Sequence, residues 1–206
     1  MIDLWPRIET QRAVLRKMEN TDEEFVYEHF QDNDVCEYLV DAEPVRTRKE
    51  AQEIIRWSHG DPQNPTNNRW IIIWRENSEA IGTCGFHRWD TNNNMAEIGY
   101  DLQKAFWGQG IMIEVLCAAI HFGFSSMKLN RIEAFVCLGN HRSYRLLQKI
   151  GFHLEGIVRD KHYFRGDYYD HYCFSLVRSD VSVGENDPTV KTNIWGGRAT
   201  KQEGTD

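Results

Sequence analysis

The stretch AEIGYDLQKAFWGQGIMIEV, residues 96–115, decides the architecture. Its first part alternates, with Ala96, Ile98, Tyr100 and Leu102 on one face of an extended chain and Glu97, Gly99 and Asp101 on the other. Its end opens an apolar stripe at helical spacing, Ile111, Val115 and Ala119 with Leu116 and Ile120. Between strand and helix stand Gly108 and Gly110. A helix start leaves N–H groups without internal partners and its dipole attracts anions, so glycines there let a phosphate come close. The Gly-x-Gly-x-x-Gly dinucleotide pattern fails at Ile113, and the Gly-Lys-Ser/Thr of a Walker loop is absent. Taken alone, "GQG" also reads as a tight turn before a core helix, so the surroundings decide.

Composition bounds the answer. A chain of 206 residues with 41% hydrophobic content fills one core of ordinary size. The net charge of −7 disfavours a nucleic-acid groove and suits a cationic partner, or solubility alone. No apolar run spans a bilayer, and MIDLWPRIETQR lacks the basic and apolar regions of a secretion signal, so no membrane partner and a cytoplasmic location are expected. The five cysteines are scattered and odd in number, without a Cys-x-x-Cys pair. They read as buried thiols rather than disulfides or a zinc site, and no metal is expected.

Along the chain, a first strand is predicted over 10–18, then a helix capped by Thr21, a second helix over 46–58 and a polar loop over 59–68. Strands follow over 69–75, 80–89 and 95–102. After the glycine turn and its helix come a strand over 130–138, a short helix capped by Asn140 and closed by Gly151, and two strands, FHLEGIV and DYYDHYCFSLV, joined through RDKHYFRG. From residue 180 the chain is polar, with Ile194 and Trp195 as a docking point. The expected organisation is one α+β domain over 1–179 and a tail over 180–206.

The residues then carry a resemblance. The stretch 96–115, followed by NHRSYRLLQKIGFHLEG (140–156), resembles the acetyl-CoA-binding core of the GNAT N-acetyltransferases, and with IETQRAVLRKM (8–18) it is similar to their RimJ/RimL branch. The resemblance implies a mixed, mostly antiparallel sheet flanked by helices, with acetyl-CoA as co-substrate. It places Gly108, Gln109, Gly110, Ile111, Met112 and Ile113 in the loop that wraps the pyrophosphate, although Trp107 and Met112 depart from the wider motif. Tyr100, Asp101 and Leu102 match the segment whose backbone pairs with the pantetheine arm, and Asn140 matches an asparagine that reaches it.

Direct transfer in a ternary complex needs a deprotonated amine, donors for the oxyanion and a proton for the thiolate, but no protein nucleophile. Glu97 is the first candidate base, with His162 the second, each also readable as a structural side chain. Many GNAT enzymes place a tyrosine where this chain has Leu147. Leucine cannot donate a proton, and Ser143, one turn earlier on the same face, is the candidate donor to the thiolate. Aromatic residues between Tyr163 and Tyr172, with Asp167 and Asp170, read as core or as an acceptor pocket. The expected acceptor is a protein N-terminal α-amine of the ribosomal-protein type. A small cationic amine (polyamine, amino acid or aminoglycoside) and a non-catalytic CoA-binding sensor are the alternatives, and the reading allows a homodimer.

Overall fold

The computed structural model describes residues 3–40, 42–60 and 66–184. One eight-stranded sheet runs through it, formed by β1 (Ile8–Glu9), β2 (Ala13–Lys17), β3 (Asn68–Trp74), β4 (Ala80–Asp90), β5 (Met95–Leu102), β6 (Arg131–Cys137), β7 (His153–Phe164) and β8 (Asp167–Val177). The spatial order is β1-β2-β3-β4-β5-β6-β8-β7, and every neighbouring pair is antiparallel except β5 and β6. That parallel pair is joined by the helix α4 (Ile111–Ser125), the crossover a parallel connection requires. The expected mixed, mostly antiparallel α+β fold is therefore what the chain forms.

The α4 stripe is buried over Ile111, Val115, Leu116, Ala119 and Ile120, each burial worth roughly 1.5–3 kcal/mol for the larger side chains. Helix α5 (His141–Lys149) joins the same face of the sheet through Leu147, which is fully buried. The opposite face carries α1 (Glu23–His29) and α3 (Arg48–Ser58) over a separate cluster of Met18, Val26, Ala51, Ile55 and Ile71. A one-turn helix, α2 (Asn33–Cys36), leads from α1 toward the central strands.

Several boundaries differ from the sequence reading. The strand expected over 10–18 starts only at Ala13, because Thr10 turns the chain, its N–H bonding Ala13 O at 2.9 Å, and the short β1 before that turn was not expected. Thr21 does not cap a helix. It lies within a 3-10 turn, Asn20–Asp22, because Asp22 is drawn back to the Glu19 N–H (2.7 Å) and to Arg16 (2.7 Å), which moves the helix start beyond it. RDKHYF is strand rather than connection. Arg165 and Gly166, at φ 51° and 92°, form a two-residue turn with both φ positive, so β7 extends to Phe164. Residues Arg178–Gly184 form α6, which carries helix past residue 180, where the polar tail was expected to begin. The rest of that tail, with Ile194 and Trp195, lies outside the described residues, as do 61–65 of the expected 59–68 loop. Among the cysteines only Cys84 is fully buried, and Cys36, Cys117, Cys137 and Cys173 are half-buried, since each lies at an element's margin or on a partly covered face.

Candidate active site

Strands β5 and β6 pair only over Met95–Glu97 and Arg131–Glu133, and beyond those residues they separate. Because Gln103 N bonds Ile81 O on the β4 side (2.8 Å), alternation turns the main-chain groups of Leu102, Tyr100 and Ile98 toward the gap and those of Asp101 toward β4. A cleft of about 400 Å³ opens along this gap and under the glycine loop. It adjoins an inner chamber of about 180 Å³, and Tyr38, Tyr100, Asn140 and Ser143 border both.

At the outer end Gly108 and Gly110 have φ of +73° and +76°, the left-handed region, and Gly110 is the N-cap of α4. These angles set the start of α4 against the cleft, which Ile111, Met112 and Ile113 also border. Gln109 is used locally: its side chain donates to Ala105 O (2.7 Å) and its carbonyl accepts from Arg12 Nη1 (2.9 Å). Arg12 is fixed in turn by Glu114, through its N–H (2.6 Å) and Nε (2.8 Å). Burial would raise the Glu114 carboxyl, but Thr10 and Arg12 hold it below the usual carboxylate range. Trp107 donates its indole N–H to Leu102 O (2.7 Å) and lies under the Arg142 guanidinium, 4.1 Å from the ring centre. With Arg145 and Lys149, Arg142 gives the α5 side of the cleft a cationic edge.

At the junction Asn140 caps α5, its side chain accepting from Ser143 N (3.0 Å), which fixes Ser143 on the first turn. Ser143 Oγ and Tyr100 Oη are 2.7 Å apart. Burial pushes the Tyr100 hydroxyl far above its ordinary value, against a smaller lowering by the Ser143 hydrogen bond, so the phenol keeps its proton at neutral pH.

Asp101 turns its side chain the other way, into a buried cluster on the α1 face. It accepts from Thr83 N (3.0 Å), Thr83 Oγ1 (2.7 Å), His29 Nε2 (2.6 Å) and the Arg69 guanidinium. Burial alone would raise its carboxyl, but the charges of Arg69 and His29 and the bonds from His29 and Thr83 hold it far below the ordinary range. Its side chain thus pins α1 and β3 behind the strand that borders the cleft.

In the inner chamber Glu97 is largely buried. Its Oε1 meets His87 Nε2 at 3.0 Å and its Oε2 accepts from Arg88 Nη1 at 3.1 Å. Burial would raise its carboxyl, yet the hydrogen bond and charge of His87, then Arg88 and Lys161, hold it below the usual value. His162 borders the same chamber from β7 rather than from a loop, its ring edge-on to His171 at 4.8 Å. Burial pushes Cys84 up to about 12 and Cys117 up to about 11, so neither is a thiolate nucleophile near neutral pH. Among the described residues no cluster of acidic, histidine and cysteine side chains is arranged to hold a metal ion.

Residues 12–153 match the family model described as an acetyltransferase (GNAT) domain. This chain belongs to the GNAT acetyltransferase family. It is 38% identical over 173 residues to the uncharacterized N-acetyltransferase p20 of Bacillus licheniformis, covering 84% of this chain and 97% of that protein. The ribosomal-protein-serine acetyltransferase of Escherichia coli is 35% identical over 102 residues, covering 50% of this chain and 56% of that protein. Among solved structures, a GNAT-family acetyltransferase from Bacillus anthracis aligns with a TM-score of 0.71 at 27% identity, over 84% of this chain and 98% of that one. The protein is thus a GNAT N-acetyltransferase that takes its acetyl group from acetyl-CoA. The cleft suits that donor: unpartnered N–H groups at a helix start and the α5 cations for phosphates, and an open strand edge for an amide-bearing arm.

Arg12, His87, Arg69 and the α5 cations were not read from the sequence. For Arg142, Arg145 and Lys149 the signal was present, since 142, 145 and 149 recur on one helical face after the Asn140 cap.

Proposed function

We propose that the chain acetylates protein N-terminal α-amines. The observation that carries this is the make-up of the inner chamber. Its one carboxylate, among the described residues, is Glu97, already matched by His87 and Arg88, and the other ionisable side chains there include Arg69, His162 and His171. A polyamine needs several unmatched carboxylates to replace its hydration, whereas a peptide brings one amine followed by a neutral backbone. Deprotonating an α-amine of pKa near 8 at pH 7 costs roughly 1 kcal/mol, against about 4–5 for a lysine-like amine near 10.4, so modest assistance suffices. The name of the E. coli relative, a ribosomal-protein-serine acetyltransferase, supports the same class and suggests ribosomal proteins as acceptors.

In this reading the N–H groups from Gly108 to Ile113 hold the pyrophosphate, and the main chains of Tyr100 and Leu102, on the open side of β5, meet the pantetheine arm beside Asn140. Leu102 offers its N–H, since its carbonyl is taken by Trp107. The thioester lies at the junction of cleft and chamber. The amine attacks the thioester carbonyl, the C–S bond breaks, and the thiolate takes a proton from Ser143, which Tyr100 can resupply across 2.7 Å. Residues 1–179 with the α6 turn form the catalytic unit. A thiol-release assay with acetyl-CoA and peptides differing only in a free or blocked α-amine tests the assignment: release from the free form alone supports it, and release from both moves the acceptor to lysine.

A further inference from the structure

Resting on the reading of the chamber as the acceptor end, we propose that His87 takes the proton from the acceptor amine and that Glu97 is the residue that positions it. The β4–β5 register pairs His87 with Glu97, so their side chains share one face, and the 3.0 Å contact between Nε2 and Oε1 places the imidazole proton on Nε2. Nδ1 then carries the lone pair. It is buried and has no hydrogen-bond partner among the described residues. A buried acceptor in that condition is costly unless something brings it a donor.

Gly99 lets the imidazole edge pack closely against β5. A Cβ there would come to 3.1 Å from His87 Cε1, 3.6 Å from Nδ1 and 3.2 Å from Arg69 Nη1. Those distances leave no room for a side chain at residue 99, so the glycine is what lets the Cε1–Nδ1 edge of the ring lie there, and both Gly99 and His87 border the chamber. An ammonium that reaches this ring edge from the chamber meets a lone pair. Glu97 is the poorer acceptor, because its two oxygens already face His87 and Arg88. Its carboxyl is also held below the usual carboxylate range, which weakens it further as a proton acceptor.

The charges facing the ring come from every neighbouring strand. Arg69 on β3 is matched by Asp101, Arg88 on β4 by Glu97, and Lys161 on β7 lies 3.7 Å over the Phe135 ring, while His162 and His171 stand across the chamber. The step balances. One ammonium N–H bond breaks as Nδ1–H forms, the freed pair makes the bond to the acetyl carbon, the C–S pair leaves on the thiolate that Ser143 protonates, and the second proton shed by the nitrogen as the amide forms passes to water, which restores the Ser143–Tyr100 pair. Glu97 stabilises the imidazolium, which loses its proton to water after the product departs.

The test is kcat against pH at saturating acetyl-CoA and peptide, with two peptides whose α-amines differ in pKa. The wild-type chain is expected to gain activity with rising pH through one limb whose midpoint is the same for both peptides. His87→Gln should lose that limb and fall about 100-fold in kcat near neutral pH while still binding acetyl-CoA, recovering at high pH where the amine is already neutral. Glu97→Gln should keep the limb, shift it to lower pH and lose less. A His87→Gln enzyme with the wild-type limb and rate overturns the proposal, as does loss of the limb in Glu97→Gln alone. If His87→Gln does not fold, nitrogen NMR of the histidine-labelled wild-type chain decides: an Nε2–H tautomer of His87 supports the assignment, and an Nδ1–H tautomer overturns it. Absence of thiol release from the wild-type chain with any peptide would instead count against the acceptor reading, leaving the tautomer to judge His87.

Discussion

Replacing Gly110 by valine should separate acetyl-CoA binding from folding. Gly110 sits at φ +76° as the N-cap of α4, where an L residue pays roughly 1–2 kcal/mol and a β-branched one more. Space is not the obstacle, since a Cβ would meet only Arg12 Nη2, at 3.7 Å. The chain relieves the strain by rotating the turn, which carries the N–H groups that follow it out of line and pulls Gln109 O from Arg12 Nη1, now 2.9 Å away. Losing two or three charge-assisted hydrogen bonds, at about 1.5 kcal/mol or more each, lowers acetyl-CoA affinity by roughly 100-fold or more. Asparagine tolerates the left-handed region, so Gly110→Asn should retain affinity within about tenfold if the backbone angle is what matters, and should fall as far as valine if bare approach of the phosphate is. Calorimetric titration with acetyl-CoA, beside a melting curve showing that α4 is intact, makes the measurement. A folded Gly110→Val chain with unchanged affinity would refute the assigned role of the loop.

Ser143→Ala should slow turnover by roughly 10-fold or more with acetyl-CoA affinity kept, since it removes the hydroxyl 2.7 Å from Tyr100, and solvent kinetics under saturation check it. Leu147→Ala, at a fully buried site, should cost about 2–5 kcal/mol in denaturant unfolding and leave the chemistry of the remaining folded enzyme intact. Asp101→Asn should cost about 3–5 kcal/mol, because it leaves Arg69 and His29 buried without their carboxylate. Asp101's carboxyl is lowered in the fold, so its stabilisation is present above the unfolded value near 3.9 and is lost as pH falls below it; wild-type stability should drop through that acid range more steeply than that of Asp101→Asn.

What the sequence disclosed was what neighbouring residues determine. Two glycines ahead of an apolar stripe fix a left-handed N-cap, and Asn140 before a polar helix start fixes the other cap. Ser143 could be placed by helical spacing alone. His87 was hidden for a reason of register. Counting symmetrically back from the TNNN turn, with Asp90 opposite Met95, sets Glu97 across from Arg88; the irregularity at Arg88, φ +50°, inserts one residue and brings His87 opposite instead. No local pattern announces that bulge. Arg12 meets the glycine loop, and His29 meets Asp101, across separations of 97 and 72 residues, which only the assembled sheet brings together.

The most direct test of the acceptor assignment is thiol release from acetyl-CoA by the purified chain given one lysine-containing peptide in two forms, α-amine free and α-amine formylated, with spermine as a third acceptor. The account predicts release with the free peptide and little with the other two. Equal release with the formylated peptide, or faster release with spermine, would contradict it.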